Sequence, residues 1–332
     1  MTQQRDLTDR FGRHIKYLRI SVTDRCDLRC IYCMSEDMQF VPRAQLLTLE
    51  EIIRLGRNFV ELGVEKIRIT GGEPLVRRNI LSVFEALGAL PGLKELTLTT
   101  NATQLPRFAN ALVDAGVQRV NISLDSLRPE RFRRITRIGE LDKVLAGIEA
   151  ARAAGFRRIK LNAVILKHRN HDEVVDLARF ALDNGMDISF IEEMPLGAVQ
   201  EHDRAEAYYS SDAIRSDLTQ TFDLIESTEH SGGPSRYFHV RGHEGRIGFI
   251  SPHSHNFCDS CNRVRLTATG RLLLCLGQEH SKQLRPVLRA HPLDDQPLQQ
   301  AIVQAMEIKP RGHDFRLDGI PIIQRHMNVT GG

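Results

Sequence analysis

The chain has no apolar run long enough to span a bilayer, and residues Met1 to Lys16 are polar and lack the apolar core of a secretory signal. Both absences lead to the expectation of a cytoplasmic protein with no membrane partner. Net charge is nearly absent as well: 45 Lys and Arg against 42 Asp and Glu leave +3. That balance does not indicate a general nucleic-acid binder, and no stripe interleaves aromatic with basic residues. Lysine is scarce, 8 residues against 37 arginines. The arginine fork matches phosphate oxygens. A GC-rich genome explains most of the excess, so the position of an arginine carries more information than the total. Low-complexity segments are missing too. The 41% hydrophobic and 26% charged content is ordinary for a globular chain, and 332 residues suffice for about two domains.

Cysteine is also sparse, yet its placement is the most informative feature. The six cysteines fall into two sets of three. Cys26, Cys30 and Cys33 form Cys-x3-Cys-x2-Cys just after a predicted strand. Three thiolates leave a tetrahedral metal incomplete and cannot pair off as disulfides. They can hold three irons of a cubane and leave the fourth open to a small molecule. Cys258, Cys261 and Cys275 form Cys-x2-Cys-x13-Cys. Taken alone, this set suits either an iron–sulfur cluster or zinc with His253, His255 or His280 as fourth ligand. A reducing compartment keeps such thiols free.

From Tyr17 to Pro195 one unit repeats: a β-branched strand ending in polar residues or Gly, then an amphipathic helix. The pattern predicts six strands: Tyr17–Thr23, Val64–Thr70, Leu93–Thr100, Val117–Asp125, Arg157–Leu166 and Asp187–Met194. Helices are expected over Leu49–Leu62, Asn79–Leu90, Pro106–Ala115, Leu141–Ala154, Asp172–Asn184 and Asp212–Thr221. Gly63, Gly116, Gly155 and Gly185 stand where C-terminal caps belong. The alternation argues for a parallel α/β sheet, too short for a closed eight-stranded barrel. Six units could make an incomplete, laterally open barrel or a doubly wound sheet, and the expected fold is an incomplete (βα)6 TIM-type barrel over residues 1–226. A smaller C-terminal α+β domain, 227–332, carries the second cysteine set after the break at Ser231-Gly232-Gly233-Pro234. It should contain the hairpins Tyr237–Val240/Arg246–Ile250 and Val264–Ala268/Arg271–Leu276, then helices near Lys282–Ala290 and Pro297–Ile308. Ligands gather at the carboxyl ends of strands in such sheets, which is where the cysteine loop, Gly71-Gly72-Glu73-Pro74, Thr99-Thr100-Asn101 and Ser123-Leu124-Asp125 all fall.

Gly71-Gly72-Glu73-Pro74 after the second strand, with the cysteine loop after the first, resembles the radical S-adenosylmethionine superfamily. Within it the chain is similar over nearly its whole length to the GTP 3',8-cyclase family of molybdenum cofactor biosynthesis. The matching runs are Tyr17-Leu18-Arg19, Ser21 to Cys26, Arg68 to Pro74, Thr99 to Asn101, Asn121 to Leu127, Phe190-Ile191-Glu192 and Phe257 to Leu266, with the closing Gly331-Gly332. Ala102 and Ser35 depart from the family's usual Gly and Pro. The run Phe257 to Leu266 and the Gly-Gly end argue against a peptide-modifying radical enzyme with an auxiliary cluster.

The resemblance implies a lyase with two [4Fe-4S] clusters, one on each cysteine set, and with S-adenosylmethionine and GTP bound between them. It implies a 5'-deoxyadenosyl radical that takes hydrogen from C3' of the ribose, after which C3' closes onto C8 of the guanine. Tyr32 (through its backbone), Gly72, Ser123 and Met194 would hold S-adenosylmethionine. Arg19, Arg68, Thr99, Lys160, Arg263, Val264 and Arg265 would contact GTP. Arg263, Arg265, Gly331 and Gly332 would be needed for catalysis, the tail entering the site because glycine is slim. An external reductant, cyclic pyranopterin monophosphate synthase downstream, and a monomer or homodimer complete the expectation.

Overall fold

A computed structural model describes residues 6–198, 203–229, 232–317 and 323–331. All six expected parallel strands form: β1 (Tyr17–Ser21), β2 (Lys66–Thr70), β3 (Glu95–Thr100), β4 (Val117–Ser123), β5 (Arg158–Ile165) and β6 (Asp187–Glu192). They pair in chain order, β1 to β6. Between them lie α1 (Leu49–Glu61), α2 (Leu81–Gly88), α3 (Leu105–Asp114), α4 (Pro129–Thr136), α5 (Leu141–Ala153) and α6 (Val174–Asp183). Thr48 starts α1 with a reciprocal capping box to Glu51, as its sequence dictates. Gly63, Gly116, Gly155 and Gly185 all leave their helices at positive φ.

The strands alternate strictly, which fixes the two sides of the sheet. Leu18, Ile20, Ile67, Ile69, Leu98, Val120 and Ile122 are fully covered and belong to one continuous core with the helices. The other side carries Tyr17, Arg19, Lys66, Arg68, Arg119, Asn121, Lys160 and Asn162, which line a cavity. Parallel strands buried on both faces ordinarily read as continuous apolar runs. Here one face is charged and still buried. Residues from both edges of the sheet, Arg263 and Tyr237, meet at that same cavity, so the sheet is curled into an open barrel.

The C-terminal region is joined to the barrel through the same sheet. Its strands are β7 (Leu224–Glu226), β8 (Arg236–Val240), β9 (Arg246–Ile250), β10 (Arg263–Leu266), β11 (Arg271–Leu273) and β12 (Ser281–Gln283). They extend the sheet at both ends in the order β12-β11-β10-β1-β2-β3-β4-β5-β6-β9-β8-β7. Both expected hairpins are present, but β9 runs parallel to β6 and β10 parallel to β1. Pairing between β7 and β8 crosses the sequence division at 226/227.

Helices α7 (Arg204–Ala207), α8 (Ser211–Thr219), α9 (Arg285–Ala290), α10 (Gln296–Met306) and α11 (Met327–Thr330) complete the described α-helices. The helix expected from Lys282 begins only at Arg285, because Ser281–Gln283 pairs with β11. No described helix is long and apolar enough to cross a membrane.

Candidate functional site

All six cysteines, although distant in sequence, line one cavity of about 270 Å³ that runs through the barrel, with Cys26, Cys30 and Cys33 at the carboxyl ends of its strands and Cys258, Cys261 and Cys275 at their amino ends. Arg19, Tyr32, Arg68, Gly72, Thr99, Ser123, Lys160, Met194, Arg263, Val264 and Arg265 border the same cavity. The Val264 side chain is fully covered on the helix side, so this residue meets the cavity through its backbone. Gly331 does not line the cavity itself but docks on two of its arginines: its carbonyl accepts from Arg19 Nη2 at 3.0 Å and Arg265 Nη1 at 3.2 Å. Gly332 lies outside the described residues.

The first cysteine loop is held by the barrel, not by its own turns alone. Arg29 N–H donates to Thr136 O and Ile31 N–H to Ile135 O. Met327 N–H donates to Cys33 O at 3.1 Å, so the C-terminal helix also braces this loop. Leu28 N–H lies 3.3 Å from Cys26 Sγ, and Asn101 Nδ2 lies 3.8 Å from it. Tyr32 donates its hydroxyl to Asp125 Oδ2 at 2.7 Å, and Val164 N–H binds the other oxygen at 2.9 Å. Burial raises the Asp125 carboxyl to about 6 despite these donors. Burial likewise pushes the Cys33 thiol up to about 12 and those of Cys26 and Cys30 upward.

Gly71 and Gly72 let two chain segments touch. An added Cβ would stand 2.7 Å from Thr23 O at Gly71 and 2.5 Å from Arg25 O at Gly72. Glu73, a fixed acceptor as its sequence suggests, faces away from the cavity. It accepts from Leu75 N–H (3.0 Å), Asn101 N–H (2.7 Å) and Thr100 Oγ1 (2.9 Å), tying the end of β2 to that of β3. Its burial lifts the carboxyl to about 8.

The second set sits in a different electrostatic setting. Arg263 Nη2 is 3.9 Å and Lys309 Nζ 4.0 Å from Cys261 Sγ. Burial would raise that thiol, but Arg263 and Lys309 outweigh it and bring it down to about 7. Two of the three histidines considered for a zinc site are engaged elsewhere. His253 Nε2 is 2.9 Å from Glu193 O and His255 Nε2 is 2.9 Å from Asp212 Oδ1, while His280 is exposed. Among the described residues no three His, Cys, Asp or Glu side chains close on a single ion. A cubane places its thiolates on separate irons and needs no such convergence. With donors aimed at the sulfurs, both sets suit an iron–sulfur group.

The barrel interior is strongly cationic. Lys66 pairs with Glu95 at 2.6 Å, and Arg119 pairs with the same carboxylate. Arg19, Arg68, Lys160, Arg263 and Arg265 face the cavity with no carboxylate partner among the described residues. Among their partners are Gly331 O, Thr99 Oγ1, Ser189 Oγ and Cys261 Sγ, with the rings of Tyr17, Tyr237 and Phe257 beside Arg68, Lys160 and Arg263. Arg19 Nε and Arg68 Nε are buried without any partner. Burial, then the charge of Arg263, pushes the Arg265 guanidinium down to about 10. Burial and Arg265 push Arg19 down too. Such a row calls for a polyanion.

Tyr17, Lys66 and Arg119 belong to this wall and were not singled out from sequence. Strand alternation was the available signal, since each lies two residues from an inward position. Tyr17 is buried, with Lys66 Nζ 5.1 Å and Arg68 Cζ 5.8 Å from the ring centroid. Burial would raise its phenol, but Arg68, Arg19, Lys66 and Arg263 bring it down to about 7.

Comparison with known proteins gives two family matches: the Radical SAM superfamily over residues 20–181 and Molybdenum Cofactor Synthesis C over residues 186–315. A GTP 3',8-cyclase from Saccharophagus degradans is 56% identical over 330 residues, covering 99% of this chain and all of the relative. One from Pseudomonas entomophila is 61% identical over 327 residues, covering 98% of each. Among solved structures, Streptococcus suis SuiB bound to S-adenosylmethionine shares the fold at 16% identity, with a TM-score of 0.61 over 95% of this chain and 77% of that one.

Proposed function

The chain belongs to the GTP 3',8-cyclase family of the radical S-adenosylmethionine superfamily, and on that premise we propose that it converts GTP to (8S)-3',8-cyclo-7,8-dihydroguanosine 5'-triphosphate, the first step of molybdenum cofactor biosynthesis. One observation carries this reading beyond kinship. Five unpaired cations of the barrel wall face a cavity that also receives both cysteine sets. A triphosphate supplies the missing negative charge, and a peptide substrate has no general need of it.

Cys26, Cys30 and Cys33 would hold one [4Fe-4S] cluster, and Cys258, Cys261 and Cys275 a second. When bound, the first cluster would supply the electron that cleaves S-adenosylmethionine to methionine and a 5'-deoxyadenosyl radical, and the second would supply an iron able to take a base ligand. The protein's own residues do the rest by placement. Arg19, Arg68, Lys160, Arg263 and Arg265 bind the phosphates, each charge-assisted contact contributing about 1.5–3 kcal/mol. Thr99, already bonded to Arg68 at 3.1 Å, lies at the same wall. Tyr32, Gly72, Ser123 and Met194 frame the S-adenosylmethionine end, where Asp125 fixes Tyr32. Holding the ribose C3' and the guanine C8 in register is the main task, because a misplacement of ~1 Å can cost 10²-fold in rate.

The same reading includes a lyase classification, an external reductant, a cytoplasmic setting, and transfer of product to cyclic pyranopterin monophosphate synthase. Anaerobic incubation of the reconstituted chain with GTP, S-adenosylmethionine and dithionite should yield the cyclic nucleotide and 5'-deoxyadenosine, read by mass analysis. Deoxyadenosine without any cyclised nucleotide would overturn the substrate assignment.

A further inference from the structure

We propose that the buried ammonium of Lys309 is a fixed counter-charge of the second cysteine set, beside Arg263, and raises the reduction potential of the group held there. The inference rests on the reading that Cys258, Cys261 and Cys275 carry an iron–sulfur cluster.

Lys309 follows α10 and is 1% exposed, unusual for a lysine. An ammonium has three N–H donors. Two are spent on the carbonyls of Leu274 (2.6 Å) and Arg263 (3.1 Å), and the third reaches Cys261 Sγ at 4.0 Å. Burial opposes its charge. The groups that favour the charge are Cys261 and Cys275 first, with Asp9 behind them. An ammonium enclosed in this way is tolerated only beside negative charge, and the thiolates of the second set are the nearest source.

The surrounding chain is built to keep it there. Gly312 O lies 3.9 Å from Cys275 Sγ. Arg13 donates to the carbonyls of Cys258 (2.8 Å), Arg311 (2.7 Å) and Pro310 (2.7 Å) while paired with Asp9 at 2.6 Å. The segment carrying Lys309 is thereby clamped to the cysteine loop. No comparable cation reaches the sulfurs of the first set among the described residues, where the nearest acidic side chains are Asp27 and Asp125, and Glu73, lifted by burial to about 8, adds little negative charge at neutral pH. A cluster on three thiolates becomes more negative on reduction. A fixed cation beside it favours the reduced form, and surrounding carboxylates disfavour it. The two sites are therefore tuned in opposite directions by residues outside the ligand sets.

The test is an EPR-monitored redox titration of the anaerobically reconstituted full chain, with Lys309→Gln, Lys309→Met and Lys309→Arg beside the parent. The Cys26→Ser/Cys30→Ser/Cys33→Ser chain supplies the reference signal of the second cluster. Lys309→Gln keeps donors for the two carbonyls, which separates charge from packing. Both neutral variants should lower the reduced-to-oxidised ratio of the second cluster at least tenfold at a given potential, a shift of 59 mV for one electron. The first couple should stay in place, and Lys309→Arg should move the second couple less than either neutral variant. Loss of iron from the second site in both neutral variants, with retention in Lys309→Arg, also supports the charge role. An unmoved second couple in iron-loaded neutral variants, a common shift of both couples, or iron loss in all three variants overturns it. Iron and zinc analysis of the parent separates the two claims. Zinc or no metal at the second set overturns the cluster reading and the inference together, whereas iron with an unmoved couple overturns the inference alone.

Discussion

Replacing Gly331 with Ala tests how the chain's end contributes to the site. Gly331 has φ of 77°, and a Cβ there would stand 2.7 Å from Thr70 Cγ2 and 3.2 Å from Ser21 Cβ. The left-handed backbone alone costs a non-glycine residue about 1–2 kcal/mol. Against this stand two charge-assisted bonds from Arg19 and Arg265, about 1.5–3 kcal/mol each before the ordering of the tail is subtracted. At about 1.4 kcal/mol per decade, the backbone cost lowers the docking equilibrium constant roughly 5–30-fold. The methyl contact adds to that. Adding Thr70→Ser removes the Cγ2 contact and leaves φ unchanged, so the double variant should recover only part of the loss. The readouts are cyclised nucleotide, 5'-deoxyadenosine and hydrogen exchange at Met327 N–H, which is bonded to Cys33 O. Exchange should quicken at least about 5-fold, in line with that docking loss, and cyclised product should fall as the undocked fraction grows, with iron content unchanged. Full product formation with parent-like exchange would refute a role for the docked tail.

Arg263→Ala or Arg265→Ala should weaken GTP binding about 10-fold or more and leave S-adenosylmethionine binding nearly unchanged, as read by titrating each ligand. Cys26→Ser, Cys30→Ser or Cys33→Ser should stop S-adenosylmethionine cleavage. Cys258→Ser, Cys261→Ser or Cys275→Ser should leave slow, uncoupled cleavage without cyclised nucleotide, and parent-rate cyclisation would make the second site structural. Tyr17 should titrate near pH 7 in the cluster-free chain, read as phenolate absorbance absent from Tyr17→Phe. Because its folded pKa is lowered, its stabilising contribution is absent below pH 7 and grows between about 7 and 10; a midpoint near 10 would show that the cations do not reach the phenol.

The six parallel strands were legible because alternation and the polar strand ends report the same register. Helix α4 was not, since Pro129–Thr136 presents only Phe132 and Ile135 as large apolar residues to the core. The strand Ser281–Gln283 has three residues, two of them exposed, and exists because β11 offers it a partner. Ala102 was noted as standing where the family has glycine. Its φ of 69° gives the physical reason glycine suits that position. Among site residues, the cysteines and the five unpaired cations were accessible from motifs. Lys309 was not, because a lysine after a helix ordinarily reads as solvated surface, and its burial follows from contacts with Leu274 and Arg263 distant in the chain.

What sequence spacing could least convey is how the two cysteine regions come to face each other. The answer is strand register. β10 pairs with β1 so that Tyr17 stands opposite Arg263 and Arg19 opposite Arg265, while β2 on the other side sets Lys66 and Arg68 opposite the same two residues. Three strands thus deliver one level row of cations, and Cys261 enters the cavity only two residues ahead of β10. A slip of one residue in that pairing would turn Val264 and Leu266 into the cavity and force Arg263 and Arg265 among the covered apolar residues. Burying two unpaired guanidinium groups there is far costlier than any gain from the exchanged side chains. The same alternation that makes the site cationic therefore fixes the pairing that assembles it. The position of the second cysteine set relative to the first is a consequence of core packing.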